Sequence, residues 1–215
     1  MASKLSLYNG ALREVGERKL ASLSENREPR RVLDSAWDAE AVKTCLAAGL
    51  WNFATNSIEL TYSPSVEPGI DGGFQYAFDK PENFVRTVAV CQDPHFKVPL
   101  LHYQDEGSYW YADIDTIYVR YIDAGTSFGL DYGKWPVNFT RYVEFFLAAR
   151  ICMSLTQNQT KRDNLERDAE IWLTKAKSSD AMDEPTKFLP PGSWSTARHG
   201  RGISHDRGSR SRLIG

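Results

Sequence analysis

Apolar residues fall at three- and four-residue steps in the first quarter of the chain, at two-residue steps through the middle, and at helical steps again beyond residue 136. Leu5, Tyr8, Leu12 and Val15, with Ala11 beside them, predict a helix over 4–15 that Gly16 closes. Leu20-Ala21-Ser22-Leu23 follows as a short apolar link and Ser24-Glu25-Asn26-Arg27 as a polar turn. Pro29 suits a first helical position. Val32, Leu33, Ala36, Ala39, Leu46, Ala47 and Leu50 then alternate with Arg30, Arg31, Asp34, Asp38, Glu40 and Lys43. This pattern predicts one long amphipathic helix of roughly six turns, closing on Trp51-Asn52-Phe53-Ala54. Trp37 within it, and Trp51 and Phe53 at its end, form the expected structural lock.

From Asn56 to Asp123 the period is two. Strands are predicted at 57–62, at 74–78, at 85–91, more weakly at 98–101, where Pro99 suggests an edge, and at 108–112 and 116–122. Pro68-Gly69-Ile70-Asp71-Gly72-Gly73 reads as a loop. The expectation is five or six short strands in one antiparallel sheet. Pro136 opens a third helix to about Leu155, apolar over most of its circumference and therefore interior. Thr160-Lys161-Arg162-Asp163 resembles a capping box for a fourth, with Leu165, Ala169, Trp172, Leu173 and Ala176 inward, fading at Ser178-Ser179-Asp180. From Asp183 onward prolines, then glycines, serines and arginines, leave too few apolar groups to fold alone. The fold expected is α+β. A four-helix bundle (1–55 and 136–182) carries an antiparallel β-rich insertion (56–135) between its second and third helices, and 183–215 is an extended C-terminal tail.

Charge changes this picture more than composition does. The net charge of −2 divides unevenly: residues 51–140 hold 12 acids against 5 bases, whereas 190–215 hold five arginines against Asp206 alone. An acidic body with a basic tail calls for an explanation. Three widely spaced cysteines, Cys45, Cys91 and Cys152, form no C-x-x-C and read as buried thiols of a reducing cytoplasm. The N-terminus carries no signal-like run, and the longest apolar stretch, Phe145 to Met153, is interrupted by Arg150, so no membrane partner is expected.

Catalytic patterns fail one by one. Gly129-Leu130-Asp131-Tyr132-Gly133-Lys134-Trp135 looks like a phosphate loop, but its glycines are one residue too close and Trp135 stands where a Ser or Thr would hold Mg²⁺. Gly200-Arg201-Gly202-Ile203 lacks the third glycine of a dinucleotide fingerprint. His95, His102, His199 and His205 make no zinc spacing, and no serine stands in a nucleophile elbow. No catalytic residue, metal or cofactor is therefore expected. The one enzyme-like feature is Asp113 and Asp115, which would share a strand face if the strand extends that far, beside Tyr109, Trp110 and Tyr111. Paired acids beside rings can bind or hydrolyse a glycan; the plainer reading makes both acids turn or surface groups.

The tail also has two readings. Arg198, Arg201, Arg207, Arg210 and Arg212 can contact phosphate, or they can dock on an acidic protein groove with Phe188 and Trp194 as anchors, which is the reading favoured.

Leu7-Tyr8-Asn9, Leu12, Val15-Gly16-Glu17, Leu20-Ala21-Ser22-Leu23, Trp37-Asp38, Leu46 and Trp51-Asn52-Phe53-Ala54 together resemble the tail tubular protein A, or head-to-tail adaptor, family of short-tailed bacteriophages. The resemblance covers about the first sixty residues by motif and the remainder by the order of elements. It implies a non-enzymatic virion protein of the tail neck, made in the host cytoplasm. Such a protein forms a ring of self copies, a dodecamer in that family, between the portal protein and the tail nozzle protein. DNA would pass through its channel without sequence-specific binding. The tail residues Phe188 to Arg212 would dock on the portal or nozzle, and the acids of 51–140 would partly line the bore, where like charge keeps DNA from adhering.

Overall fold

The computed structural model describes residues 2–64 and 73–183. Helix α1 (Lys4–Val15) starts on a reciprocal cap: Ser6 N–H donates to Ser3 Oγ (3.1 Å) and Ser3 N–H to Ser6 Oγ (2.8 Å). It stops at Gly16, whose φ of +83° suits glycine, with Glu17 N–H reaching back to the Leu12 carbonyl at 2.8 Å. The chain then folds back along α1 because Asn9 clamps the link. Its Nδ2 donates to the Leu20 carbonyl (3.1 Å) and its Oδ1 accepts from Leu20 N–H (2.7 Å), so the amide side chain mimics a backbone partner.

The single long helix expected from residue 28 onward is two: α2 (Glu28–Asp38) and α3 (Ala41–Ala47). The break falls at Glu40, at φ +59°, where there is neither Gly nor Pro to announce it. Apolar spacing continues in helical phase across the break, so periodicity alone cannot show it. Both pieces lie against the same later helix, and tertiary packing overrides the local preference for continuity. Trp51 is also outside the helix; its Nε1–H donates to the Leu46 carbonyl (3.0 Å) and reaches the Cys45 carbonyl (3.3 Å), closing α3 from below. A single 3-10 turn, Asn52–Ala54, leads into the strands.

Six strands follow: β1 (Thr55–Thr61), β2 (Tyr76–Asp79), β3 (Phe84–Cys91), β4 (Gln104–Glu106), β5 (Tyr109–Ala112) and β6 (Thr116–Asp123). They make two three-stranded antiparallel sheets, β1-β6-β3 and β2-β5-β4, rather than the one sheet expected. The chain leaves the small sheet at a bend over Asp113–Asp115 and enters the larger one at Thr116. The 98–101 stretch reaches only an isolated bridge, Cys91 to Pro99. Between the sheets lies a second core of Phe78, Val90, Trp110, Ala112, Ile117 and Val119, with Phe84 edge-on to Trp110 at 5.3 Å. Strand β6 serves both cores. Ile117 and Val119 meet the small sheet, while Ile122, with Ala124 just beyond, joins the helices.

Helix α4 (Val137–Thr156) is buried on several sides, at Phe139, Tyr142, Val143, Leu147, Ala148 and Ile151, because α1, α2, α3 and α5 all pack on it. Gln157 turns the chain at φ +50°. Helix α5 (Gln159–Asp183) is then capped by Asn158, whose Oδ1 accepts from Lys161 N–H at 3.0 Å, so the cap sits two residues before the expected Thr160 box. No helix among the described residues is long and apolar enough to cross a membrane.

Candidate functional site

The side chains that converge most densely are aromatic, and their centre is Phe139, fully buried on the first turn of α4. Trp51 (4.8 Å), Phe53 (4.9 Å), Trp135 (4.9 Å) and Tyr142 (6.2 Å) surround its ring, mostly edge to face. Two of the three expected lock residues, Trp51 and Phe53, thus meet on a ring from the apolar face of the third helix. Trp37 reaches the cluster only through Tyr132 (6.1 Å) and Trp135, and it touches Tyr8 on α1 at 5.7 Å. The signal that was available is the spacing of Tyr132, Trp135 and Phe139, which continues the helical stripe of α4 backwards into the loop.

That loop is the sequence that looked like a phosphate cradle, and its donors are already used. Asp123, buried at the end of β6, accepts from Gly125 N–H (2.6 Å) and Asn56 Nδ2 (2.9 Å), and its carbonyl takes Gly129 N–H (2.9 Å). Lys134 Nζ donates to the Ser127 carbonyl (2.7 Å) and pairs with Asp131 (3.2 Å). Trp135 Nε1–H closes the loop on the Gly129 carbonyl at 2.8 Å. The last turn of α5 is bolted to the same junction: Asn52 N–H donates to both carboxylate oxygens of Asp180 (3.1 and 3.2 Å), and Asn52 Nδ2 to the Asp180 carbonyl (2.9 Å).

Two phenols and one thiol of the helical core are held in their uncharged forms. Burial, then the bond to Asp34 at 2.9 Å, pushes the Tyr8 hydroxyl far up; burial pushes the Cys45 thiol up to about 12. Burial likewise raises the Tyr142 hydroxyl beside it. All three cysteines are buried and free. Glu144 differs, since it is an acid packed against Gly10 of α1. Burial raises its pKa, opposed by Arg141 at 2.8 Å and Arg13 at 3.6 Å. With the folded value above the unfolded one, the native state holds the proton more tightly. Stability therefore falls as pH rises through the window above about 4.3 and stays lower beyond it. Glu144→Gln is expected to remove that step, so that urea midpoints at pH 4 and pH 7 move in the mutant's favour as pH rises. The opposite slope would mean that the two arginines outweigh burial.

In the sheets a polar cluster sits where sequence inspection had marked only the rings. Lys80, its side chain 8% exposed, pairs with Asp105, donates to the Gly107 carbonyl (2.9 Å) and lies 4.9 Å from the Phe84 ring centre. Trp110 Nε1–H donates to Thr87 Oγ1 (3.0 Å) and Asp105 (3.2 Å), stitching the two sheets together. Burial works to raise the Asp105 pKa, but hydrogen bonds from Lys80 and Thr87 and the Lys80 charge hold it below the usual carboxylate range. The candidate pair fares otherwise. The strand stops at Ala112, so Asp113 and Asp115 lie in the bend, both exposed. Asp113 accepts from Gln75 N–H (3.2 Å) and lies 3.5 Å from His102, bracing the entry to β2.

On the helical side, α4 and α5 frame an open groove of about 530 Å³ floored by Tyr142, Phe146, Ala149 and Leu173. Arg150 lies over the Phe146 ring at 4.9 Å, and Arg162 pairs with Glu166 at 2.8 Å on the rim. Among the described residues no group of three or more His, Cys, Asp or Glu is placed to hold a metal ion. Phe188, Trp194, Arg198, Arg201, Arg207, Arg210 and Arg212 lie outside the described residues. No protein-family model matches the chain, and a search of curated proteins finds no significant match.

Proposed function

We propose that this chain is a structural subunit of a phage head-to-tail adaptor ring, joining a portal protein to a tail nozzle protein. The observation that carries the reading is the use to which the family-like residues are put. Asn9 clamps Leu20, Tyr8 ties α1 to Asp34 of α2, and Trp51 closes α3 and packs on Phe139 of α4. These residues join elements instead of presenting chemistry, as a rigid repeating part requires. On this reading α2 and α3 act together as the second member of a four-helix bundle with α1, α4 and α5. The open α4–α5 groove faces a neighbouring copy, and the arginines of 198–212, with Phe188 and Trp194, strap the subunit to the portal or nozzle. Part of the acidic charge of 51–140 lines the bore, and passing DNA is repelled rather than read. Copies in a ring repeat one modest contact, so avidity supplies the strength.

Mixing the purified chain with its portal protein and imaging in negative stain is expected to give closed rings of this chain on the portal; unassembled subunits at every ratio would remove the reading. Truncation after Leu189 is expected to leave the unfolding midpoint of the body unchanged while particles lose DNA or tails. Particles that mature normally without 190–215 would end the strap, and rings that form with the acids of 51–140 on the outer rim would end the bore assignment.

A further inference from the structure

The outer face of the small sheet carries a row that neither core uses. Antiparallel register sets Asp79 of β2 opposite Tyr109 of β5, and Tyr109 opposite Glu106 of β4. Residues directly opposite on neighbouring strands project to the same side. Trp110 and Ala112, the alternate positions of β5, are buried, so Tyr109 and Tyr111 point outward, their rings 6.2 Å apart. Asp79 and Glu106 are exposed, and Tyr109 stands half-buried between them. Among the described residues nothing pairs with the Asp79 carboxylate, while Glu106 takes only the neutral Gln104 amide. The nearest cation in sequence, Lys80, is committed to Asp105 and the Gly107 carbonyl.

We propose that the Asp79–Tyr109–Glu106 row is a docking site for an arginine side chain presented by an extended segment of a partner protein. Neighbouring strands lie about 4.8 Å apart, so the two carboxylates bracket the tyrosine across about 10 Å. A guanidinium plane stacks on the ring face and turns its N–H groups to a carboxylate on either side. Lysine, a compact point charge, can satisfy one acid or the ring but not the whole row. Charge complementarity selects the occupant: the region holding the row carries 12 acids against 5 bases. The inference stands apart from the connector reading, because it is measured on the free chain.

The probe is a fluorescent peptide with the sequence of residues 196–215, which bears five arginines, and its all-lysine counterpart. The receptor is the full-length chain with Arg198, Arg201, Arg207, Arg210 and Arg212 replaced by Gln, so that it cannot compete with the probe. The arginine peptide is expected to bind at least about fivefold more tightly than the lysine one. Asp79→Asn with Glu106→Gln is expected to cost about tenfold or more, and Tyr109→Leu about fivefold. Asp113→Asn with Asp115→Asn removes the same charge from the bend and is expected to change affinity less than about twofold. Equal losses from both double substitutions would make the attraction a general field effect and overturn the row. So would indifference to arginine versus lysine, or displacement by a neutral oligosaccharide, which would give the face to sugar.

Discussion

Phe139→Ala is expected to destabilise the chain by about 3–5 kcal/mol, lowering the thermal midpoint by about 10 °C, with the urea m-value unchanged. Phe139 is fully buried, and its ring is the one that Trp51, Phe53, Trp135 and Tyr142 all touch. Truncation removes the transfer free energy of the ring and leaves a hole that four rigid neighbours, two of them tied by indole N–H bonds, cannot collapse to fill. Phe139→Leu keeps most of the volume and is expected to cost under about 1.5 kcal/mol. A loss below about 1 kcal/mol for the alanine variant would show that the ring cluster is peripheral to the helical core.

Gly129→Ala is the second large effect, expected at about 1–3 kcal/mol. A methyl group there would stand 2.5 Å from the Asp123 carbonyl oxygen and 2.7 Å from Leu46 Cδ1. The first obstacle is backbone, and the same carbonyl accepts the Gly129 N–H, so the loop cannot retreat without giving up the bond that seats it. At Gly10 the obstacle is the end of the Glu144 side chain, which can swing aside, so an alanine there is expected to cost less. Urea denaturation of the two alanine variants side by side checks the order; equal or reversed costs would mean that the 124–135 loop is looser than its bonds imply.

Legibility in the chain followed the reach of each interaction. The Gly16 stop of α1, the apolar girth of α4 and the period-two middle rest on neighbours within a turn or a pleat, and they could be read directly. Glu40 could not, because its left-handed turn is imposed by packing on α4 and leaves no Gly or Pro as a mark. Strand β4 is Gln104-Asp105-Glu106, three polar residues with no alternation to see. One sheet was expected because strands of four residues carry no statement about which partner they choose. The aromatic lock was half visible for the same reason. Trp51 and Phe53 announce themselves at a helix end, whereas Tyr132 and Trp135, which connect Trp37 to Phe139, sit in a glycine-bearing loop. The Lys80–Asp105–Thr87–Trp110 cluster joins residues as much as 25 apart through register alone.

The placement of Phe139 and β6 has a consequence for how the protein is made. Helices α1, α2 and α3 have little to pack on until α4 is available, some ninety residues after α3, and β1 waits for β6, with Thr55 pairing Ile122. A ribosome that has delivered only the N-terminal half therefore holds a chain with Leu7, Leu12, Leu33 and Leu46 still facing water. Burial of the helical core is a late event that begins when the segment bearing Phe139 emerges. Until then the nascent polypeptide is a natural client for chaperones that shield apolar surface.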